Sequence, residues 1–405
     1  MKTYKLITLG IAMLIIAACK KNDEEVASGN PKIDRIRLTN PAKKDSTFTA
    51  ALPGTQIVIE GENIGGVQKI YFNDTEAWFN PVYNTDRHMI VTIPKYAPTA
   101  ANQPEVKSKI RMVTTHGEVS YDFTLTPPDP IITSINNENT IPGQEMTILG
   151  ESLFQVQSIT FPGNRVVTEF SVSAAGNQIL VKVPADLRIE SGILTVTTKF
   201  GSANSAGVIN KVAGEGMISN FSQASQIAWG VFNWGYFGGI VTNNASLFPN
   251  NREHYLQNIF GGIDANNSNW YEGNRSGNFT RFKVFNTFTA GDPAASYALK
   301  FEMNTIEPWK AGVCLLRFND AYAHRWMPYL TAANKSFSTG NTWQTITVPL
   351  SEFKTSEGKG NAAVTLGNIV AADGTLLLNY RFITETEPIA LFNSAFDNFR
   401  IVKIK

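Results

Sequence analysis

Apolar and polar residues alternate along most of the chain. The runs Thr55-Gln56-Ile57-Val58-Ile59-Glu60, Glu145-Met146-Thr147-Ile148-Leu149, Thr345-Ile346-Thr347-Val348 and Asn398-Phe399-Arg400-Ile401-Val402-Lys403-Ile404 all change character every second residue. That is the period of a strand with one face in a core, and no stretch of helical period competes with it. Gly, Pro and Asn punctuate the runs, so the pattern predicts an all-β chain.

The first half repeats itself. Pro53-Gly54 recurs as Pro142-Gly143, Gly61 as Gly150, Ile64 as Leu153, Val67 as Val156, Ile70 as Ile159 and Phe72 as Phe161, all 89 residues apart. Val91-Thr92-Ile93-Pro94 matches Val181-Lys182-Val183-Pro184 at 90, one loop residue having been gained. A repeat of this length built from short strands predicts two tandem immunoglobulin-like sandwiches. Gly61 and Gly150 are expected at turn positions needing positive φ. Trp78 is expected in a core or at a sheet edge. The opening Pro31-Lys32-Ile33 or Pro130-Ile131-Ile132, the Pro-Gly before a strand, Gly-Glu-Asn (61 to 63) or Gly-Glu-Ser (150 to 152), and Ile70-Tyr71-Phe72 or Ile159-Thr160-Phe161 resemble the IPT/TIG family. Such modules space a terminal domain from its anchor. Pro127-Pro128-Asp129-Pro130 stiffens the junction, which predicts a semi-rigid arm.

At the N-terminus Lys2 and Lys5 precede an apolar run from Leu6 to Ala18. Its 13 residues would span about 20 Å as a helix, short of the roughly 30 Å hydrocarbon core. It reads as a cleaved signal peptide rather than a membrane span. Ile16-Ala17-Ala18-Cys19 resembles a bacterial lipobox, which implies lipidation of Cys19. The polar segment from Lys20 to Asn30, with Asp23-Glu24-Glu25, reads as a flexible tether and is similar to the surface-export signal of Bacteroidetes lipoproteins. The expected organisation is a signal peptide at 1–18, lipid anchor and tether at 19–30, sandwiches at 31–126 and 127–211, and a C-terminal β-sandwich or jelly roll at 212–405.

Composition sharpens the last of these. Of the 405 residues, 14 Phe, Trp and Tyr precede Val212 and 30 follow, including six of the seven tryptophans. The net charge of +1 argues against nucleic acid, which needs a basic stripe. From Val212 onward 15 Lys and Arg face 14 Asp and Glu, which suits a neutral ligand. Several of these aromatics sit among Asn and Gly: Asn233-Trp234-Gly235-Tyr236, and Asn269-Trp270-Tyr271-Glu272-Gly273. A pyranose stacks its C–H face on an aromatic plane while its hydroxyls need amide and carboxyl partners. Trp234, Tyr236, Trp270, Tyr271 and Glu272 are therefore candidate glycan-binding residues. Trp309 and Trp326 join them, each following polar or charged residues (Glu307-Pro308, His324-Arg325). Trp229 is balanced between core and site, Trp343 reads as structural, and Cys314 as a buried small hydrophobe.

Lipobox, tandem IPT/TIG-like sandwiches and an all-β C-terminus together resemble the surface glycan-binding proteins of Bacteroidetes polysaccharide-utilisation loci. The C-terminal resemblance rests on Trp270-Tyr271-Glu272-Gly273, on Trp343-Gln344-Thr345 with Val348-Pro349-Leu350-Ser351-Glu352-Phe353, and on Phe396-Asp397-Asn398-Phe399-Arg400. It implies a surface-exposed outer-membrane lipoprotein that captures a neutral polysaccharide or oligosaccharide beside a SusD-like protein and a TonB-dependent transporter.

Two other classes stay in view. A glycoside hydrolase needs two carboxyls about 5–9.5 Å apart; Glu272, with Glu302, Glu307 or Asp320, is the most suggestive set, but no spacing singles out a pair. The four histidines are scattered and no nucleophile elbow or zinc motif appears, so no catalytic residue, metal or cofactor is assigned. Asp264-Ala265-Asn266-Asn267-Ser268-Asn269 lacks the Gly and Glu of a calcium loop and reads as a polar turn. A surface adhesin or assembly factor would use the same aromatics as protein anchors.

Overall fold

The computed structural model describes residues 29–186, 191–221, 232–233, 240–269 and 275–405. Its two compact units divide between Pro128 and Asp129, inside the proline-rich junction. The all-β prediction holds in both.

The first unit is one sandwich. Lys32–Leu38, Gln56–Glu62 and His88–Thr92 form one sheet, and Thr75–Glu76, Val67–Phe72, Lys109–Thr114 and Gly117–Asp122 the other. Ile36, Ile57, Ile59, Ile70, Phe72, Met89, Ile110 and Met112 are fully buried between them. Each such side chain contributes about 1.5–3 kcal/mol by leaving water. Trp78 lies outside this core and is 83% exposed, which corrects its structural assignment.

The second unit opens with the repeated sandwich. Its sheets run Ile131–Ile135, Glu145–Glu151, Gln178–Lys182, Phe170–Val172 and Arg165–Val167, Val156–Phe161, Thr195–Thr198, Gly201–Asn204. The repeat extends to its irregularities. Pairing shifts between Ile33 and Arg35 and again between Ile132 and Ser134, opposite Gly61 and Gly150. At each bulge a neighbouring carbonyl presses on the glycine: a Cβ would stand 2.0 Å from the oxygen of Lys32 or of Ile131. Gly61 and Gly150 are thus strand residues needed for close backbone approach, not turn residues. The left-handed turn positions belong to Gly54 and Gly143, with φ of 87° and 84°.

The rest of the unit is a larger sandwich. A six-stranded sheet runs Ile240–Thr242, Tyr255–Ile263, Ile389–Lys403, Tyr297–Thr305, Gln344–Pro349, with Met217–Ser219 also paired to Ile389–Lys403. A five-stranded sheet runs Phe232–Asn233, Ser276–Lys283, Thr375–Ile383, Val313–Phe318, Tyr322–Trp326. Between them lies an aromatic core in which Phe301 stacks on Phe399 and Phe260 on Phe392, both at 4.9 Å between ring centres. Cys314 is buried here as expected, and desolvation pushes its thiol well above its ordinary range.

Candidate functional site

Each sheet of the large sandwich has an outer face, and the two are used differently. On the six-stranded sheet the outward residues Lys300, Glu302 and Arg400 are buried, because the loop 136–140 of the preceding sandwich packs over them. Arg400 binds Glu302 through two nitrogens, at 2.9 and 3.0 Å, and reaches Glu138 at 2.9 Å. Lys300 pairs with the other oxygen of Glu138. Asn139 Nδ2 and Thr345 Oγ1 donate to Glu302 at 2.7 and 2.8 Å, and Thr345 N donates to the carbonyl of Asn136. Two cations and two carboxylates balance, and the face is covered by the preceding sandwich, so it joins domains rather than opening to a ligand.

The five-stranded sheet is built differently. Its inner positions, Phe279, Leu316, Phe318, Leu378, Tyr380 and Phe382, fill the core. Alternation turns their neighbours outward, and register lines those up across strands. Asn278 lies opposite Asn379 and Asn379 opposite Arg317; Ser276 lies opposite Arg381, Arg381 opposite Leu315, and Leu315 opposite Arg325. The result is a platform of amides and guanidinium groups.

Three arginines here face three carboxylates. Arg317 donates to Asp320 at 2.8 Å and contacts Glu357 at 3.0 Å, Arg381 stands 3.6 Å from Asp320, and Arg325 contacts Glu385 at 2.6 Å. Burial, then the neighbouring Arg317, holds the Arg381 guanidinium below its ordinary pKa. Beside these pairs lies a depression of about 210 Å³, lined by Ser276, Asn278, Asp320, Leu377, Asn379 and Arg381 with Gly277 and Tyr380. Ser276 and Asn379 are only 2% and 6% exposed, yet Ser276 Oγ and Asn379 Oδ1 have no hydrogen-bond partner among the described residues. Leaving such atoms dry costs about 1–3 kcal/mol each, a cost that a hydroxylated ligand or water removes.

The structure moves two predicted residues out of the site. Trp309 and Trp326 are 2% and 7% exposed and stand edge to face at 5.1 Å in the core. The indole nitrogen of Trp309 donates to the carbonyl of Ala311, and its backbone pairs with Phe337. Neither offers a ring to a ligand. Trp343 is structural as read, its indole nitrogen donating to the carbonyl of Pro249 at 3.0 Å. The Asp264 to Asn269 run is a polar turn tied to Thr384: Thr384 Oγ1 donates to Asp264 O, and Thr384 N to Asn267 O at 2.9 Å.

Cys19, Trp229, Trp234, Tyr236, Trp270, Tyr271 and Glu272 lie outside the described residues. On the described sides of the tryptophan segments, Asn233 pairs with Asn278 in the five-stranded sheet, Ile240 pairs with Gln257 in the six-stranded sheet, and Arg275 binds the carbonyl of Asn269 and, through its own carbonyl, the amide of Phe382. Sequence reasoning missed Ser276, Asn278, Arg317, Asn379 and Arg381. The alternation in Asn379-Tyr380-Arg381-Phe382 marked them as outward polar residues, but only register brings them together.

Residues 211–403 match the family model described as the surface glycan-binding protein B xyloglucan binding domain. An IPT/TIG domain-containing protein of Bacteroides ovatus is 37% identical over 208 residues, 48% of this chain. That match spans 42% of the relative's length. Among solved structures, surface glycan-binding protein PbSGBP-B from Prevotella bryantii superposes with a TM-score of 0.66 at 23% identity, covering 94% of this chain and 100% of that one. SGBP-B from a complex xyloglucan utilization locus in Bacteroides uniformis gives 0.50 at 20%, covering 92% and 99%. These structural likenesses establish the fold. By the sequence match of residues 211–403, and by an architecture of two small sandwiches followed by a larger β-sandwich, the chain is similar to the surface glycan-binding proteins B.

Proposed function

We propose that this protein is a non-catalytic outer-membrane lipoprotein, anchored through Cys19 and exposed at the cell surface, that captures a neutral polysaccharide or oligosaccharide. Capture occurs on the outer face of the five-stranded sheet, with Trp234, Tyr236, Trp270 and Tyr271 as stacking residues and Glu272 as a hydroxyl partner. The observation that carries this reading is the pair of buried polar atoms, Ser276 Oγ and Asn379 Oδ1, without partners among the described residues on a face where three arginines meet three carboxylates. A field-free surface with spare hydrogen-bonding groups suits a polyol better than an ion. The match to a xyloglucan-binding domain makes a β-glucan the first polymer to try.

Hydrolysis is a poorer reading. Glu302 is committed to Arg400, Asn139 and Thr345, and so is withdrawn from any pair with Glu272. The captured glycan would pass to a SusD-like protein and a TonB-dependent transporter. Affinity electrophoresis of residues 20–405 in gels cast with neutral polysaccharides, beside Trp270→Ala, tests the proposal. Retardation by a polymer, lost in the variant, is expected. No retardation by any polymer would contradict it and favour a protein partner, and depolymerisation would restore the hydrolase.

A further inference from the structure

The two small sandwiches repeat one another, yet they differ at one edge. In the second, Gln178–Lys182 is flanked by a fourth strand: Phe170 pairs with Val181, Ser171 with Leu180 and Val172 with Ile179. At the offset of 90 residues those partners correspond to Val91, Ile90 and Met89. The first sandwich carries only the last of the three pairs, a bridge from Asn84 to Met89, and its sheet ends at His88–Thr92. We infer that the open edge at Ile90–Thr92 takes up an extended apolar-polar-apolar segment of another protein as its fourth strand.

The direction of the backbone groups is the first reason. Ile93 donates to Thr55 and accepts from Gly54, and the Arg87 carbonyl accepts from Gly61, so the odd-numbered residues bond into the sheet. Even-numbered residues therefore face the edge, as the His88 carbonyl does in accepting from Thr85 at 2.8 Å. Ile90 and Thr92 point the same way, and their backbone groups have no partner there among the described residues.

The chain's own segment is held off this edge. Tyr83, which would lie opposite Ile90, donates its amide to Asn80 at 3.0 Å instead, within the tight turn Pro81–Tyr83. Asn84 anchors the turn, its side chain accepting from Val67 N at 3.1 Å and donating to the Ile64 carbonyl at 2.8 Å. Pro81, which would face Thr92, has no N–H to offer a ladder.

Apolar surface borders the edge. Val82 and Tyr83 are 80% and 54% exposed, and the exposed Trp78 opens the same segment. In the second sandwich the apolar residues of the fourth strand, Phe170 and Val172, pack against the core, which gives the chemistry this edge accepts. A second copy of the chain fits poorly. Two His88–Thr92 edges set antiparallel would each run into the Asn84–Thr85 turn that covers the other's His88 and Met89. A free extended segment brings no such turn, and main-chain bonds to an exposed edge are an established mode of peptide capture.

The test is amide hydrogen exchange of residues 20–405 with a synthetic peptide of residues 168–174, which carries the Phe-Ser-Val of the second sandwich's fourth strand. At about 2 mM peptide, a Kd of about 1 mM slows exchange at Ile90 about threefold, which is the smallest effect expected. The same peptide N-methylated at Ser171 lacks the donor aimed at the Ile90 carbonyl, leaves the protein unaltered, and should give no protection. No slowing at Ile90, or equal slowing by both peptides, would overturn the inference. Protection of Ile90 that rises with protein concentration in the absence of peptide would give the edge to a second copy and overturn it as well.

Discussion

Glu138 and Arg400 are 262 residues apart in sequence and 2.9 Å apart in the fold, joining the second sandwich to the C-terminal one. Arg400 is wholly buried, so its charge has no access to water. Removing one partner of such a pair costs about 3–5 kcal/mol, because the other charge stays buried. Glu138→Gln should lower the stability of residues 129–405 by about that amount, read by urea unfolding. Because the network also holds Lys300 and Glu302, both sandwiches should lose stability in one shared transition. A loss confined to one of them would show that the network does not couple the pair.

Gly277 and Tyr380 make a second close relationship. They face each other across two strands, and a Cβ on Gly277 would lie 2.3 Å from the Tyr380 ring. The ring is fully buried and cannot swing away. Gly277→Ala should therefore destabilise the C-terminal sandwich by about 1–3 kcal/mol, as overpacking does. A thermal midpoint equal to wild type would show that the ring has room to yield.

Trp309 tests the reassignment of a residue from site to core. As a buried aromatic in contact with Trp326, Phe382 and Phe392, its replacement by Ala should cost about 3–5 kcal/mol. Weakened glycan affinity in a variant with unchanged stability would return Trp309 to the site.

Trp309 and Trp326 also show what the sequence could and could not disclose. Both have polar neighbours, which reads as exposure. Along a strand, however, neighbours point to opposite faces: in Tyr322–Trp326 the outward residue is Arg325, and Trp326 beside it turns inward. Adjacent charge therefore says nothing of burial once a segment is a strand. The sandwiches were legible because Pro-Gly turns and alternation are local signals. The bulge at Gly61 and Gly150 was not, since it depends on a carbonyl about 20–30 residues away in the chain. The polar platform was hidden for the same reason, its members coming from strands as distant as Ser276 and Arg381.

Asp397 gives a pH dependence. Burial, reinforced by Glu302, pushes its carboxyl well above the ordinary value of 3.8, so the folded state holds its proton where the unfolded chain has released it. Stability contributed by the protonated group is present at low pH and is lost as pH rises from the ordinary value toward the raised one. Asp397→Asn keeps the shape and removes the titration. Unfolding free energies between about pH 4 and 8 should then fall less with rising pH in the variant than in wild type. Parallel profiles would mean that Asp397 ionises in the folded protein as it does unfolded.

The most direct measurement of capture on the five-stranded sheet is the affinity of Asn278→Arg for a polysaccharide that retards wild type, with Trp78→Ala as the comparison. Asn278 lies in the outward row of the platform, and an arginine there would obstruct the face. Trp78 is the exposed tryptophan of the first sandwich. Capture on the sheet predicts that Asn278→Arg loses binding while folding normally and that Trp78→Ala binds as wild type does. Full affinity in Asn278→Arg, above all with loss in Trp78→Ala, would contradict it and move the glycan to the first sandwich.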